Sequence, residues 1–269
     1  MCQILVTTGA LIGRPNGRNI RLLEKLVPQL SCDGLEFMLY SDWYDREKEI
    51  TDYLISLNVA IPTMHCQKTV GELITQCEDD KALKNFEINA RIASRIGARK
   101  LVMHLWNGEI SDSNYGHNLD MYPYLREISD KYGVDLLIEN VLCNVKDPLS
   151  RWEELIERYP DAHLIFDTKM ADFHGQLDAL YEDKNSYLWK NHIKHYHVND
   201  YGGSYMDWSN LKVLPIGAGH IDFDKFFDFI KSTGYDDTFT VEATAFNKDG
   251  AVDTDMLNEC FDRIRDYVV

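Results

Sequence analysis

Short apolar runs alternate with longer amphipathic ones along nearly the whole chain. Cys2–Thr8 is apolar and β-branched and ends at Gly9, the pattern of a buried strand; Leu22, Leu23, Leu26, Val27 and Leu30 then recur at helical spacing. Gly34–Tyr40 reads as a second strand, and Ile50, Tyr53, Leu54 and Leu57 as the apolar face of a helix. Val59–His65 is a third strand, whose Pro62 argues against a central antiparallel position but is tolerated where a strand begins. Leu83, Phe86, Ala90, Ala93 and Ile96 form a helical stripe closed by Gly97, a C-terminal cap. The same period continues with a strand at Lys100–His104, a helix near Tyr124–Tyr132 ending at Gly133, and a strand at Val134–Glu139. Asp147-Pro148 then reads as the N-cap and first-turn proline of a helix. Ala162–Asp167 is the sixth strand, with a helix predicted near Leu177–Trp189, and Ile193–Asp200 is the seventh. Asp222 caps a helix bearing Phe223, Phe226, Phe227 and Ile230, a stripe that reads as core. Thr238–Glu242 is the eighth strand, and Met256, Leu257, Cys260, Phe261, Ile264 and Val268 form the last helical stripe.

Eight strand patterns, each followed by a helical one, predict an α/β protein of one domain, a (β/α)8 TIM barrel spanning residues 1–269. No Gly/Ser linker, repeat or low-complexity tract interrupts the series. A doubly wound open sheet is the competing architecture. It calls for a Gly-rich phosphate loop after the first strand, and Thr8-Gly9-Ala10-Leu11-Ile12-Gly13 matches that poorly.

In such a barrel the residues at the C-terminal strand ends line the active site. Read in order they are Glu36, His65, His104, Glu139, Asp167, His197 and Glu242. A single polar residue past a strand is usually a loop residue entering water. Repetition changes that, because seven of the eight strands end in a group able to bind a metal or move a proton. Glu139, Asp167 and Glu242 would crowd three carboxylates into one mouth, where mutual repulsion opposes their ionisation. One divalent cation removes the conflict, and oxygen ligands with an imidazole suit Mn²⁺, Mg²⁺, Co²⁺ or Zn²⁺. The competing reading is a metal-free, hydrogen-bonded carboxylate–histidine network.

Charge and cysteine usage narrow the function classes. The 269 residues carry a formal charge of −16, which disfavours a nucleic-acid partner, since such proteins normally present a basic footprint. The six cysteines are scattered without a Cys-x-x-Cys pair, as expected of free thiols in a reducing compartment. The N-terminus lacks the pattern of a signal peptide, and no apolar run approaches the roughly 20 residues that span a bilayer. A cytoplasmic protein without a membrane partner is expected; a homo-oligomer is left open.

The motifs Asp33-Gly34-Leu35-Glu36-Phe37, Met64-His65, Val102-Met103-His104, Leu137-Ile138-Glu139-Asn140, Ile165-Phe166-Asp167-Thr168, His195–Asp200, Pro215–Phe223 and Val241-Glu242 span nearly the whole chain. In that order they resemble the sugar phosphate isomerase/epimerase superfamily. These xylose-isomerase-like barrels include inosose isomerase- and ketose 3-epimerase-type enzymes and, further off, the apurinic-site endonucleases. The resemblance implies one metal held by Glu139, Asp167, His197 and Glu242, with Glu139 and Glu242 doubling as the acid/base pair. It implies chemistry in which the metal binds a carbonyl and a neighbouring hydroxyl while a carboxylate moves the proton of the adjacent C–H, through an enediolate. Glu36, His65 and His104 would contact the substrate. His195 either points into the barrel wall as a core histidine or supports the site.

Departures from the family pattern are informative. Met170 stands where a histidine often follows the sixth-strand Asp, Val145 where ketose 3-epimerases place a further Glu, and Leu211-Lys212-Val213 where the endonucleases carry Asp-x-His. Met170 and the Leu211-Lys212-Val213 replacement, with the acidic charge, disfavour the nuclease. Trp106 and Trp208 are expected on loops at the mouth, as a sugar-stacking wall or as packing lids. Lys68, Lys169 and Lys212 are candidates to hold a phosphate or carboxylate. His174 either swings into the site or is a solvated loop residue, and Asn140 and Asp200 are candidate orienters of the ligands. The expectation is a metal-dependent isomerase or epimerase acting on a small sugar, an inositol derivative or a sugar phosphate. A hydro-lyase on a keto-polyol or dehydroshikimate-like acid is the alternative, and a ligand-binding barrel without turnover is a third class.

Overall fold

The computed structural model describes residues 2–268. Eight parallel strands follow one another in sequence order and close into a barrel. They are β1 (Gln3–Thr7), β2 (Gly34–Met38), β3 (Thr63–His65), β4 (Lys100–Met103), β5 (Asp135–Glu139), β6 (His163–Asp167), β7 (Ile193–Val198) and β8 (Thr238–Val241). The longer connecting helices are α1 (Glu47–Ser56), α2 (Thr69–Thr75), α3 (Asp79–Ile96), α4 (Tyr115–Tyr132), α5 (Pro148–Arg158), α6 (Thr168–Phe173), α7 (Phe223–Thr233) and α8 (Thr254–Val268). This is the (β/α)8 barrel that the alternation predicts.

All eight predicted strands are present, each slightly shorter than its apolar run. The third contracts most, to Thr63–His65; Pro62 has no N–H to give, and only its carbonyl takes part, accepting from Arg99 and Lys100. Two helix expectations fail. Residues 22–30 form one-turn pieces, Ile20–Leu22, Leu23–Leu26 and Val27–Gln29, broken at Pro28. Residues 177–189 form separate turns in place of a helix, one of them held by Asn185, whose Nδ2 donates to the Ala179 carbonyl at 2.8 Å. The predicted caps hold: Asp147 accepts from Ser150 N at 2.9 Å, Asp222 from Lys225 N at 3.0 Å, and Gly97 and Gly133 close α3 and α4 in the left-handed conformation.

The chain divides into two compact units, one running to Glu36 and resuming at Asp167, the other covering Phe37–Phe166. In the second unit the parallel register aligns Val102 with Leu137, and Val102, Leu137 and Ile165 form a buried apolar layer. Strand side chains repeat every two residues, so His104 and Glu139 stand on the same faces one step above Val102 and Leu137. In the first unit His195 lies beside Thr238 and His197 beside Thr240. The alternate residues, Tyr196 and Phe239, stack on each other with ring centroids 5.6 Å apart, and Tyr196 meets Phe226 edge-on at 5.8 Å. The Phe223/Phe226/Phe227/Ile230 stripe of α7 is buried there as core, as its spacing predicts.

The segment after β5 is held by a carboxylate that sequence reading did not single out. Asp112 Oδ1 accepts from the backbone N–H groups of Asn144 (2.8 Å) and Val145 (2.9 Å). Its Oδ2 accepts from Lys146 N (3.0 Å) and from Arg151 Nε (2.7 Å) and Nη2 (2.6 Å) on α5. Burial alone would raise this carboxyl, but those donors outweigh it and hold it down from 3.8 to about 2. A depressed folded-state value contributes stability above the unfolded pKa and loses it as the pH falls toward the folded one. Asp112→Asn should therefore cost about 3 kcal/mol or more in urea denaturation at pH 7. The gap to the parent protein should narrow between pH 4 and pH 2; a gap independent of pH would contradict this assignment.

Candidate metal centre

In the middle of β2 the carboxylate of Glu36 is fully buried and surrounded by donors. His197 Nε2 lies 3.0 Å from Oε1 and 3.1 Å from Oε2, and His195 Nε2 and Thr240 Oγ1 reach Oε2 at 3.1 and 3.0 Å. His195 Nδ1 lies 2.5 Å from Thr238 Oγ1. Burial works against the charge of Glu36, but the His197 and His195 imidazoles overcome it and hold the carboxyl well below its usual range. Both histidines therefore share the inward face of a regular β7, their rings 5.3 Å apart. The ring of His195 reaches the side chains of Thr238, Thr240 and Glu36.

Tying Nε2 of His197 to a carboxylate fixes its tautomer, with the proton on Nε2 and the lone pair on Nδ1. That Nδ1 faces two carboxylates, Glu242 Oε1 at 3.7 Å and Asp167 Oδ2 at 3.9 Å. Asp167 Oδ1 is occupied as the N-cap of α6, accepting from Met170 N at 2.7 Å. Asn199 Nδ2 holds the remaining oxygens, donating to Asp167 Oδ2 at 2.8 Å and Glu242 Oε2 at 3.4 Å. One imidazole nitrogen with a carboxylate oxygen of each residue within 4 Å is a donor set whose chemistry suits a divalent cation. Asn199 was missed in the sequence, although it stands two residues past His197, just beyond the end of β7.

In the unit that holds β3–β5, His65 and His104 meet edge-on, with centroids 5.0 Å apart, against Glu139. His65 Nδ1 donates to the Cys66 carbonyl at 2.7 Å, and its Nε2 lies 3.3 Å from Glu139 Oε2. His104 Nδ1 lies 2.9 Å from Asn107 Oδ1, and its Nε2 lies 2.7 Å from the same Glu139 oxygen. Burial lowers His104 to about 4 even though the Glu139 carboxylate pulls the other way, so its ring is neutral at pH 7. The Nε2 atoms of His65 and His104 thus converge on one oxygen of Glu139. Such a cluster is stabilised by a proton or a cation placed among its acceptors.

The family model of xylose isomerase-like TIM barrels matches residues 25–260. The chain belongs to the xylose isomerase-like TIM barrel family. Among solved structures it is similar to 3-keto-D-glucoside 4-epimerase, YcjR, from E. coli, at 15% identity and TM-score 0.71, covering 99% of this chain and 100% of that one. A D-allulose 3-epimerase from Methylomonas sp. in complex with D-allulose shares 14% identity at TM-score 0.71, covering 99% and 97%. The IOLI protein with a bound zinc atom shares 16% identity at TM-score 0.69, covering 98% and 99%. At these identities the likeness is one of fold. No curated protein matches the chain in sequence.

Other expected residues of this xylose isomerase-like barrel take different places. Trp106 is fully buried, donates from Nε1 to the Leu142 carbonyl at 3.1 Å and meets Tyr115 edge-on, so it packs the interior and forms no wall at the mouth. Trp208 is 49% exposed, edge-on to Phe173 at 5.0 Å. His174 is buried against Phe173, not solvated. Lys169 is buried on α6. Asp200 shapes a turn and orients no ligand: its carboxylate accepts from the backbone N–H groups of Tyr201, Gly217, Gly219 and Ile221, at 2.8–3.1 Å. No helix among the described residues is long and apolar enough to cross a membrane.

The Asp200 turn leaves no room for a side chain at Gly219, where a Cβ would run into the Tyr201 carbonyl oxygen and the Asp200 carboxylate. Gly219→Ala should cost about 1–3 kcal/mol, seen as a lowered melting temperature. Gly116, in α4 with open space around it, is the control, and Gly116→Ala should leave stability unchanged or raise it.

Proposed function

We propose that this protein is a metal-dependent isomerase or epimerase of a small sugar-like substrate, acting by proton transfer at a carbon next to a carbonyl. The observation that carries the reading is the orientation of His197, whose Nε2 is tied to buried Glu36 while Nδ1 faces Asp167 and Glu242. His197, Asp167 and Glu242 would hold the metal, with Glu139 at the tip of β5, the strand next to β6 in the barrel, as the fourth ligand. The bound zinc of the IOLI protein and the epimerase activities named for the other two similar structures support this choice within the family.

A divalent cation at this site supplies the positive charge that a developing enediolate requires. The protein's own contribution is the proton transfer and its geometry. One carboxylate, Glu139 or Glu242, takes the proton from the carbon beside the carbonyl, and the other returns a proton, to the opposite face for an epimerase or to the neighbouring carbon for an isomerase. Asn199 steadies Glu242 and Asp167, and Glu36 keeps the lone pair of His197 directed at the site; Glu36 thus acts as a positioning residue and not as the substrate contact expected from the sequence. His65 and His104 remain as donors or acceptors for substrate hydroxyls.

Glu139→Gln or Glu242→Gln should lower turnover by about 10²–10⁴, followed by NMR of ketose interconversion over a substrate panel. A near-normal rate in either variant would sink the two-glutamate mechanism. His197→Ala should lose the metal by elemental analysis, and Glu36→Gln should weaken Mn²⁺ affinity about 10- to 100-fold while every proposed ligand is still present. Product mass separates this chemistry from dehydration, which removes water.

A further inference from the structure

Two Lys or Arg side chains among the described residues are buried, and the fold treats them in opposite ways. Arg151, 5% exposed, is paired with Asp112 at 2.6 Å and with Glu154 at 3.0 Å. Lys169, 4% exposed, makes no ion pair or side-chain hydrogen bond with any described residue, while its backbone N–H donates to Asn199 Oδ1 at 3.0 Å. Counter-charges are not scarce in a chain with 44 Asp and Glu against 28 Lys and Arg. A lysine whose stem is buried and whose ammonium has no carboxylate of the chain as partner is left available to an anion from outside the chain. The ammonium is also not among the polar atoms sealed from solvent without a partner, so the accessible remainder of the side chain includes its tip.

Its position says what that anion is. Lys169 lies two residues past Asp167, in the first turn of α6, at the C-terminal end of β6 where the family's barrel opens. The same Asn199 amide that accepts from Lys169 N donates to Asp167 and Glu242, which locks the lysine backbone to the proposed metal ligands. An ammonium repels a metal ion but attracts a carboxylate or phosphate on a substrate seated beside it. In a chain of charge −16 it is also the local attraction that an anionic substrate needs.

We infer that Lys169 binds an anionic group of the substrate, so that the sugar handled here is a sugar phosphate or a sugar acid. The inference rests on the proposed isomerase or epimerase site and narrows its substrate class. The test uses the full chain loaded with Mn²⁺ and titrates inorganic phosphate and glycolate by calorimetry, in the parent protein and in Lys169→Met. At least one anion should bind the parent and bind the variant about 10- to 100-fold more weakly, the loss of one charge-assisted hydrogen bond. Phosphate binding identifies a sugar phosphate, and glycolate binding a sugar acid. Lys169→Met should melt at or above the parent temperature, since it keeps the apolar stem and breaks no ion pair. Equal anion affinity in parent and variant, no binding of either anion to the parent, or a variant that melts several degrees lower would each overturn the assignment. Mn²⁺ titration of the same samples keeps the two readings apart: loss of the anion effect with intact Mn²⁺ binding refutes only the role of Lys169, whereas a parent protein that takes no Mn²⁺ refutes the metal site.

Discussion

The site depends on a carboxylate that is sealed away from solvent. Glu36 is fully buried, and burial of a charge is tolerated only where donors replace the water it loses. His197, His195 and Thr240 provide them from β7 and β8. The consequence lies one imidazole away. Because Nε2 of His197 is committed to Glu36, its Nδ1 is left as an acceptor between Asp167 and Glu242. A carboxylate–histidine pair of this kind both fixes the ring and raises the basicity of its free nitrogen. The remaining carboxylate oxygens are held in turn by Asn199.

Much of this was legible in the chain because barrels leave period-2 and period-3.6 signatures that are local in sequence. The eight strands and the polar tips follow directly from that alternation. The distinction between His195 and His197 did not, since both stand on one strand face and both reach Glu36, and they differ in what their Nδ1 atoms face, Thr238 for the first and Asp167 and Glu242 for the second. Glu36 read as a substrate contact for the same reason: its tip position was visible, but its three donors come from strands about 160 to 200 residues further along. Asp112 and Asp200 were illegible or misread because each acts on backbone N–H groups of a distant turn, which leaves no mark on residue spacing.

The helix expectations that failed did so for a different reason. Apolar spacing alone favoured helices at residues 22–30 and 177–189, but the backbone forms short turns, with Pro28 lacking an N–H in one and the Asn185 side chain bonded to the Ala179 carbonyl in the other. Trp106 shows the limit of loop position as a guide, because a residue that follows a strand can still be fully interior when a later loop, here the Leu142 carbonyl, supplies its indole with an acceptor.

The account turns on which nitrogen of His197 is available. Crystals grown with Mn²⁺, with anomalous difference maps collected on and off the manganese edge, test it most directly. The account predicts one ion within bonding distance of His197 Nδ1, Asp167 and Glu242, with Nε2 still on Glu36. An ion bound through Nε2, or no ion among these three residues at saturating Mn²⁺, would contradict it.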